Sequence, residues 1–225
     1  MPDRPHRGFT LFEILIAMFI FSMVVATLFS AYRAVFSRTD AINQSIDAYE
    51  MANNCLSRMV TDIRSAYIAQ SPAYTPPDYD DPPDPFRIRA EDGVSGGGSF
   101  PRLRFTSFAH LPLGENMQKG IAEIVYYVQQ TDDERYVLRR SDHLPPYPEF
   151  KESSGDPLLC ENVKSLSFRY YDTEGEAHDT WDSESKKIGY ATPKSVAIKI
   201  EVGEDSVSLF FETMIEFPVC RKEKE

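Results

Sequence analysis

From Phe9 to Phe29 the chain carries a single charged side chain, Glu13, in an otherwise apolar run. No other stretch limits the fold so strongly. At about 1.5 Å of rise per residue, a helix of this run is about 30 Å long, the thickness of a bilayer's hydrocarbon core. In lipid only a helix lets such a segment satisfy its own backbone polar groups. A carboxylate placed there is costly and is a functional candidate with an expected partner. Arg4 and Arg7 precede the run, and the remainder is acidic, with a formal net charge of −11 for the whole chain. The positive-inside rule then puts the N-terminus in the cytoplasm and everything past about Ala31 outside.

A secretory signal peptide has its small-residue cleavage site after the apolar region. Here the small-residue junction, Gly8-Phe9, lies before it, so cleavage leaves the helix on the mature protein. The run Arg7-Gly8-Phe9-Thr10-Leu11-Phe12-Glu13 resembles a class III (type IV prepilin) leader. The resemblance implies that the prepilin peptidase cuts after Gly8 and methylates the amino terminus of Phe9. It also implies that Glu13 pairs with the amino terminus of a neighbouring subunit, serving recruitment and register. In a bacterium the orientation makes this a single-pass inner-membrane protein with a periplasmic C-terminal domain.

The acidic balance argues against nucleic-acid binding, and no Lys/Arg cluster with interleaved aromatics opposes it. Cys55, Cys160 and Cys220 have no metal-ligand spacing, and His6, His110, His143 and His178 are scattered, so no metal or cofactor is expected. In an oxidising compartment two outcomes stay open: three unpaired thiols, or one disulfide with a leftover thiol. If a disulfide forms, Cys160 with Cys220 is the expected pair, because both flank apparent strands while Cys55 sits on a helix.

Past the membrane, Ile42, Ile46, Tyr49, Ala52, Leu56, Met59, Ile63 and Tyr67 recur every three or four residues, one stripe of an amphipathic helix. With no proline or glycine from Phe9 to Gln70, a single helix over that whole range is predicted. Residues 71–99 hold six prolines and the Gly93-Val94-Ser95-Gly96-Gly97-Gly98 run, and read as a long exposed connection without a regular element. Its Asp78-Tyr79-Asp80-Asp81 lacks the spaced ligands of a calcium loop, and its glycines lack the Lys-Ser/Thr of a phosphate cradle.

The period then becomes two. Strands are predicted at 102–108, 121–129, 135–139, 163–170, 195–202 and 207–216. Thr131-Asp132-Asp133-Glu134, Asp172-Thr173-Glu174-Gly175 and Gly203-Glu204-Asp205 supply turns between them. Asp172 to Glu176 has its glycine too early for an EF-hand loop and reads as a hairpin-type turn. The fold class is α+β, one long N-terminal helix on antiparallel sheets. The expected division is a leader at 1–8, a membrane half-helix at 9–30, an amphipathic half at 31–70, a connection at 71–99, a β-sheet domain at 100–219 and a charged tail at 220–225.

The helix run with Leu56, Arg58, Met59, Asp62 and Ile63, the strands at Leu103–Thr106 and Ile124–Val128, and the return Tyr136–Arg140 follow one another in a recognisable order. So do Leu158–Asp172, Gly175, Trp181 and Thr192–Ile198. From Arg7 to Glu216 the chain resembles the minor pseudopilin J of type II secretion systems. The proline-rich stretch 76–85 is not part of that pattern, and Trp181 is the one tryptophan. The resemblance implies a pilin-like fold and a structural role at the tip of a periplasmic filament that exports folded proteins through the outer membrane. It implies I-type, K-type and major pseudopilins as partners, with the prepilin peptidase as processing enzyme. A minor pilin of a type IV pilus, for assembly or adhesion, is the alternative. An enzyme is not expected: the chain has no nucleophile elbow and no Ser–His–Asp order with supporting context.

Overall fold

A computed structural model describes residues 9–78, 80, 82–95, 97–112, 118–204 and 207–222. The leader 1–8 with Gly8, Tyr79 and Asp81 of the acidic run, the Glu204-Asp205 turn's Asp205, and the tail residues 223–225 lie outside the described residues. The chain divides into two compact units, one ending at Ile46 and one spanning Asp47–Glu225.

Helix α1, Leu11–Arg64, makes up the described part of the first unit beyond Thr10 and opens the second. Within it, Leu11–Arg33 is long and apolar enough to cross a membrane, and its large apolar side chains are all exposed. Its small polar residues turn back on the backbone: Ser22 Oγ donates to Met18 O at 2.8 Å and Thr27 Oγ1 to Val24 O at 2.8 Å. Hydroxyls bonded this way cost little in apolar surroundings.

The predicted stripe divides along the helix. Ala52, Leu56, Met59 and Ile63 are buried, whereas Ile42, Ile46 and Tyr49 remain exposed. The helix also ends at Arg64, short of the predicted Gln70. The reason lies in the sheet. Strand β1 (Arg89–Ser95) covers β2 (Gly98–Ser107) only as far as Arg104, which leaves the end of β2 open on that side. Ser65–Tyr67 fill the gap: Tyr67 N–H donates to Thr106 O at 2.8 Å and Phe108 N–H to Ser65 O at 2.9 Å. Pairing those groups outweighs continuing a helix whose sequence has no stop signal.

The first sheet runs β1-β2-β3-β4-β5, with β3 Ala122–Gln130, β4 Tyr136–His143 and β5 Leu158–Cys160, each antiparallel to its neighbour. The second runs β7-β6-β8-β9, with β6 Val163–Tyr171, β7 Ala177–His178, β8 Ser195–Glu204 and β9 Val207–Glu216. All six predicted strands are present, and β1, β5 and β7 are added. β1 corrects the reading of 71–99 as lacking regular structure: it pairs with β2 as a hairpin, with Ser95 opposite Gly98. A Cβ on Gly98 would come within 2.7 Å of the Phe100 ring, so the close approach requires glycine there.

Two residues of the proline-rich stretch, Tyr74 and Asp84, are held too. Tyr74 is buried, its hydroxyl donates to Glu184 at 2.9 Å, and the Arg221 guanidinium sits 3.3 Å from its ring centre. Arg221 also donates to the carbonyls of Ala69, Ser183 and Tyr190 and pairs with Asp84 and Glu184. Residues 220 and 221 of the charged tail therefore pack against the domain.

One core joins the helix to both sheets. It includes Cys55, Met59 and Ile63 of α1, Leu103, Phe105, Ile124 and Leu138 of the first sheet, and Phe168, Val196 and Ile198 of the second. β3 is buried from Ala122 to Val128 on both faces. Its outer face is covered by the loop after β4, where the Tyr127 hydroxyl bonds Asp156 at 2.7 Å and its ring meets Phe150 edge-on. Trp181 is buried, donates to Ala191 O at 3.1 Å, and its own carbonyl accepts Ala90 N–H at 2.7 Å, so the second-sheet connection is stitched to β1.

Candidate functional site

Phe9 and Thr10 precede the first turn of α1, and Phe9 is fully open to its surroundings at 86 % exposure. Glu13 is in that turn. Its Oε2 accepts the Thr10 backbone N–H at 2.9 Å and the Thr10 hydroxyl at 3.0 Å, while Glu13 N–H donates to Thr10 Oγ1 at 3.3 Å. This is a capping box, in which the side chains at the N-cap and three residues on satisfy helix-start donors reciprocally. The Thr-x-x-Glu spacing was present in the sequence and announces it. Glu13 thus already has one partner within its own chain, and its carboxylate lies beside the backbone that follows Gly8.

The second constellation fixes α1 to the sheet and was not read from the sequence as a unit. Asp62 and Arg140 have fully buried side chains. Arg140 Nε donates to Asp62 Oδ2 at 2.7 Å and its Nη2 to Asp62 Oδ1 at 3.3 Å. Arg58, one turn earlier, and the Tyr126 hydroxyl both bond the same carboxylate. Arg140 continues to Asp142, whose other contacts are His110 Nδ1 at 2.6 Å and Leu111 N–H at 2.9 Å. The Ala109 carbonyl accepts from both arginines, and Ser107 Oγ donates to Asp62 O at 2.8 Å. Four segments, α1, the end of β2, β3 and β4, converge on two carboxylates.

The electrostatics follow from that geometry. Burial alone would push the Arg140 pKa down, but the bonds to Asp62 and Asp142 outweigh it and raise it. For Asp142 burial pushes upward and is overcome by Leu111 N–H, His110 and Arg140, so its pKa is lowered. Tyr126 is raised well above its ordinary value by burial and then by Asp62, and Tyr170 by burial alone. A group with a raised folded pKa contributes stability that is complete below its unfolded pKa and is lost as pH rises above it. These two tyrosines should therefore leave the unfolding free energy unchanged from neutral pH to about pH 9, then lower it by about 1.4 kcal/mol per pH unit each beyond about pH 10. Urea unfolding at stepped pH, followed by tyrosinate absorbance, checks this, and a flat profile to pH 12 would contradict it.

Asp172, Glu176 and His178 bring potential ligand atoms within 4.8 Å of one another. Asp172 Oδ1 accepts the Glu174 and Glu176 N–H groups, and its Oδ2 meets His178 Nε2 at 3.1 Å. Those bonds describe a self-closed turn, in keeping with the turn predicted there.

All three thiols are unpaired here, one of the two outcomes the sequence leaves open. The Cys160 thiol neighbours Cys55 of α1, each shifting the other's ionisation, while the Cys220 thiol donates to Thr192 O at 3.2 Å. The cause is β5, which returns to the helix, whereas the chain after β9 ends against the 190–192 loop.

A family model for type II secretion system protein J matches residues 30–212. The chain belongs to that family. A second model, the prokaryotic N-terminal methylation motif, matches residues 3–29 and meets the first without a gap. A search of curated proteins finds no match. The J-family protein is thus a minor pseudopilin of type II secretion, with an α+β, pilin-like arrangement of one N-terminal apolar helix and antiparallel sheets. The helix run Leu56–Ile63 on which the resemblance rested proves to be the docking segment, three of its side chains in the core and two in the ion network. The family is structural, and the apolar helix with its prepilin-like motif fits a single-pass anchor.

Proposed function

We propose that this minor pseudopilin joins I-type and K-type pseudopilins in a complex at the tip of the periplasmic pseudopilus. There it primes growth of the filament of major pseudopilin that exports folded proteins through the outer membrane. The prepilin peptidase cuts between Gly8 and Phe9 and methylates Phe9. Glu13 then recruits and registers the subunit by meeting the amino terminus of a neighbour, and Ile14 to Phe29 pack in the filament bundle. The N-terminus lies in the cytoplasm and the domain past about Ala31 in the periplasm. The subunit performs no catalysis.

What supports this reading is the joining, in one chain, of the methylation motif at 3–29 to a J-type domain at 30–212. The outward apolar surface of Leu11–Arg33 needs either lipid or neighbouring helices. The test is co-expression of the full chain with the I- and K-type candidates from the same organism, followed by detergent purification and light scattering. One copy of each in a stable complex is expected. A J-family chain that co-purifies with neither, but with a pilus subunit, would replace this reading by a type IV pilus role.

A further inference from the structure

The two fully buried cysteines face each other across the junction between α1 and the first sheet. Cys55 is 1 % exposed and Cys160 0 %. Two observations bring them together. Both side chains belong to the one buried core cluster, and each thiol is near enough to shift the other's ionisation. One turn before Cys55, Met51 Sδ accepts the backbone N–H of Glu161 at 3.2 Å, which seats the residue after Cys160 on the same helix face. Cys160 in turn is held opposite Leu138 as the last residue of β5. β5 is three residues long, at the edge of its sheet, with a register shift beside it at Leu138/Arg139.

We propose that Cys55 and Cys160 form a disulfide that staples α1 to the edge strand β5, leaving Cys220 as the free thiol. This rests on the periplasmic location proposed above, since only an oxidising compartment sustains such a bond. The oxidant is a disulfide-bearing oxidoreductase or small-molecule disulfide. The Cys160 thiolate attacks one of its sulfurs, expels a thiolate and forms a mixed disulfide. Cys55 then gives up its proton, and its sulfur attacks the Cys160 sulfur, expelling the second thiolate. Two protein thiols are oxidised to one disulfide, one oxidant disulfide is reduced to two thiols, and the two protons go to the departing thiolates. Because both sulfurs are buried in the finished domain, the exchange belongs to the folding chain, before α1 closes on β5. The bond encloses β1 to β4, a long loop, so its effect on the unfolded chain is correspondingly large.

The full chain would be purified in detergent from membranes with free thiols alkylated at lysis, then digested without reduction and weighed by mass spectrometry. A second portion would be denatured, reduced and refolded with oxidised glutathione. A linked Cys55–Cys160 peptide pair with alkylated Cys220 is expected in both. Reduction should lower the thermal midpoint by about 10 °C. Cys220→Ser should keep that drop, and Cys55→Ser or Cys160→Ser should abolish it. Alkylation of all three thiols after the glutathione refolding, or linkage through Cys220, would overturn the pairing. Linkage with glutathione but free thiols from membranes would uphold the pairing and overturn the periplasmic location, so the two failures are separable.

Discussion

Replacing Asp62 by alanine should cost about 3–5 kcal/mol of folding stability, the penalty for leaving a buried charge without its partner. Arg140 has a fully buried side chain and gives two of its bonds to Asp62. In Asp62→Ala it would keep only Asp142 and the Ala109 carbonyl. Tyr126 would lose the acceptor of its buried hydroxyl at the same time. Against a total of about 5–15 kcal/mol for an ordinary domain, such a loss brings the fold close to its limit. Urea unfolding followed by circular dichroism would show the midpoint moving with little change in slope. Asp62→Asn, which keeps an acceptor, should cost less. The double variant Asp62→Leu with Arg140→Met should recover part of the loss, because neither of those two ions is left without the other, while Asp142 keeps His110 and Leu111 N–H and Arg58 keeps the Ala109 carbonyl. A double variant as unstable as Asp62→Ala would mean that packing, not the ion pair, fastens the helix.

The second large effect is expected at Glu13, and it separates two roles of one carboxylate. Glu13→Leu should still insert in the membrane, since it makes the apolar run uninterrupted. Yet it should be lost from the complex with other pseudopilins, with co-purification falling to background. Glu13→Gln is the informative variant. A glutamine can still complete the capping box with Thr10, so the helix start is preserved. Without the charge it cannot pair as an anion with a neighbour's amino terminus. Failure of both variants assigns the function to the charge. Normal assembly of Glu13→Gln would reduce Glu13 to a cap and remove it from recruitment. Processing serves as the control, with the proposed release of residues 1–8 expected from both variants.

How much of this was legible in the sequence depends on the range of the interaction involved. The apolar run of α1 and the alternation of β2, β3, β4, β6, β8 and β9 are local patterns, and each element lies where its period placed it. β1, β5 and β7 were missed for a shared reason. β7 has two residues and β5 three, too short for a period to show, and β1 lies among glycines that hide its alternation. The cap at Thr10 was legible but unread, since Thr-x-x-Glu is a sequence signature. The Asp62–Arg140 pair was not legible: its partners are 78 positions apart, and a lone aspartate on a helix looks like any solvated one.

By itself the sequence determined the membrane-length helix with one carboxylate and an α+β domain, because hydrophobic period and residue chemistry are carried by neighbours along the chain. Only the tertiary structure decided where the helix stops, which stripe residues are buried, and which cysteine faces Cys160. Each of those is set by groups far away in sequence. The open end of β2 takes Ser65–Tyr67 out of the helix, the sheets select Ala52 to Ile63 as core, and the return of β5 brings Cys160 to Cys55. Such choices are made by satisfying buried backbone groups and filling space, and no local pattern encodes the partner that does so.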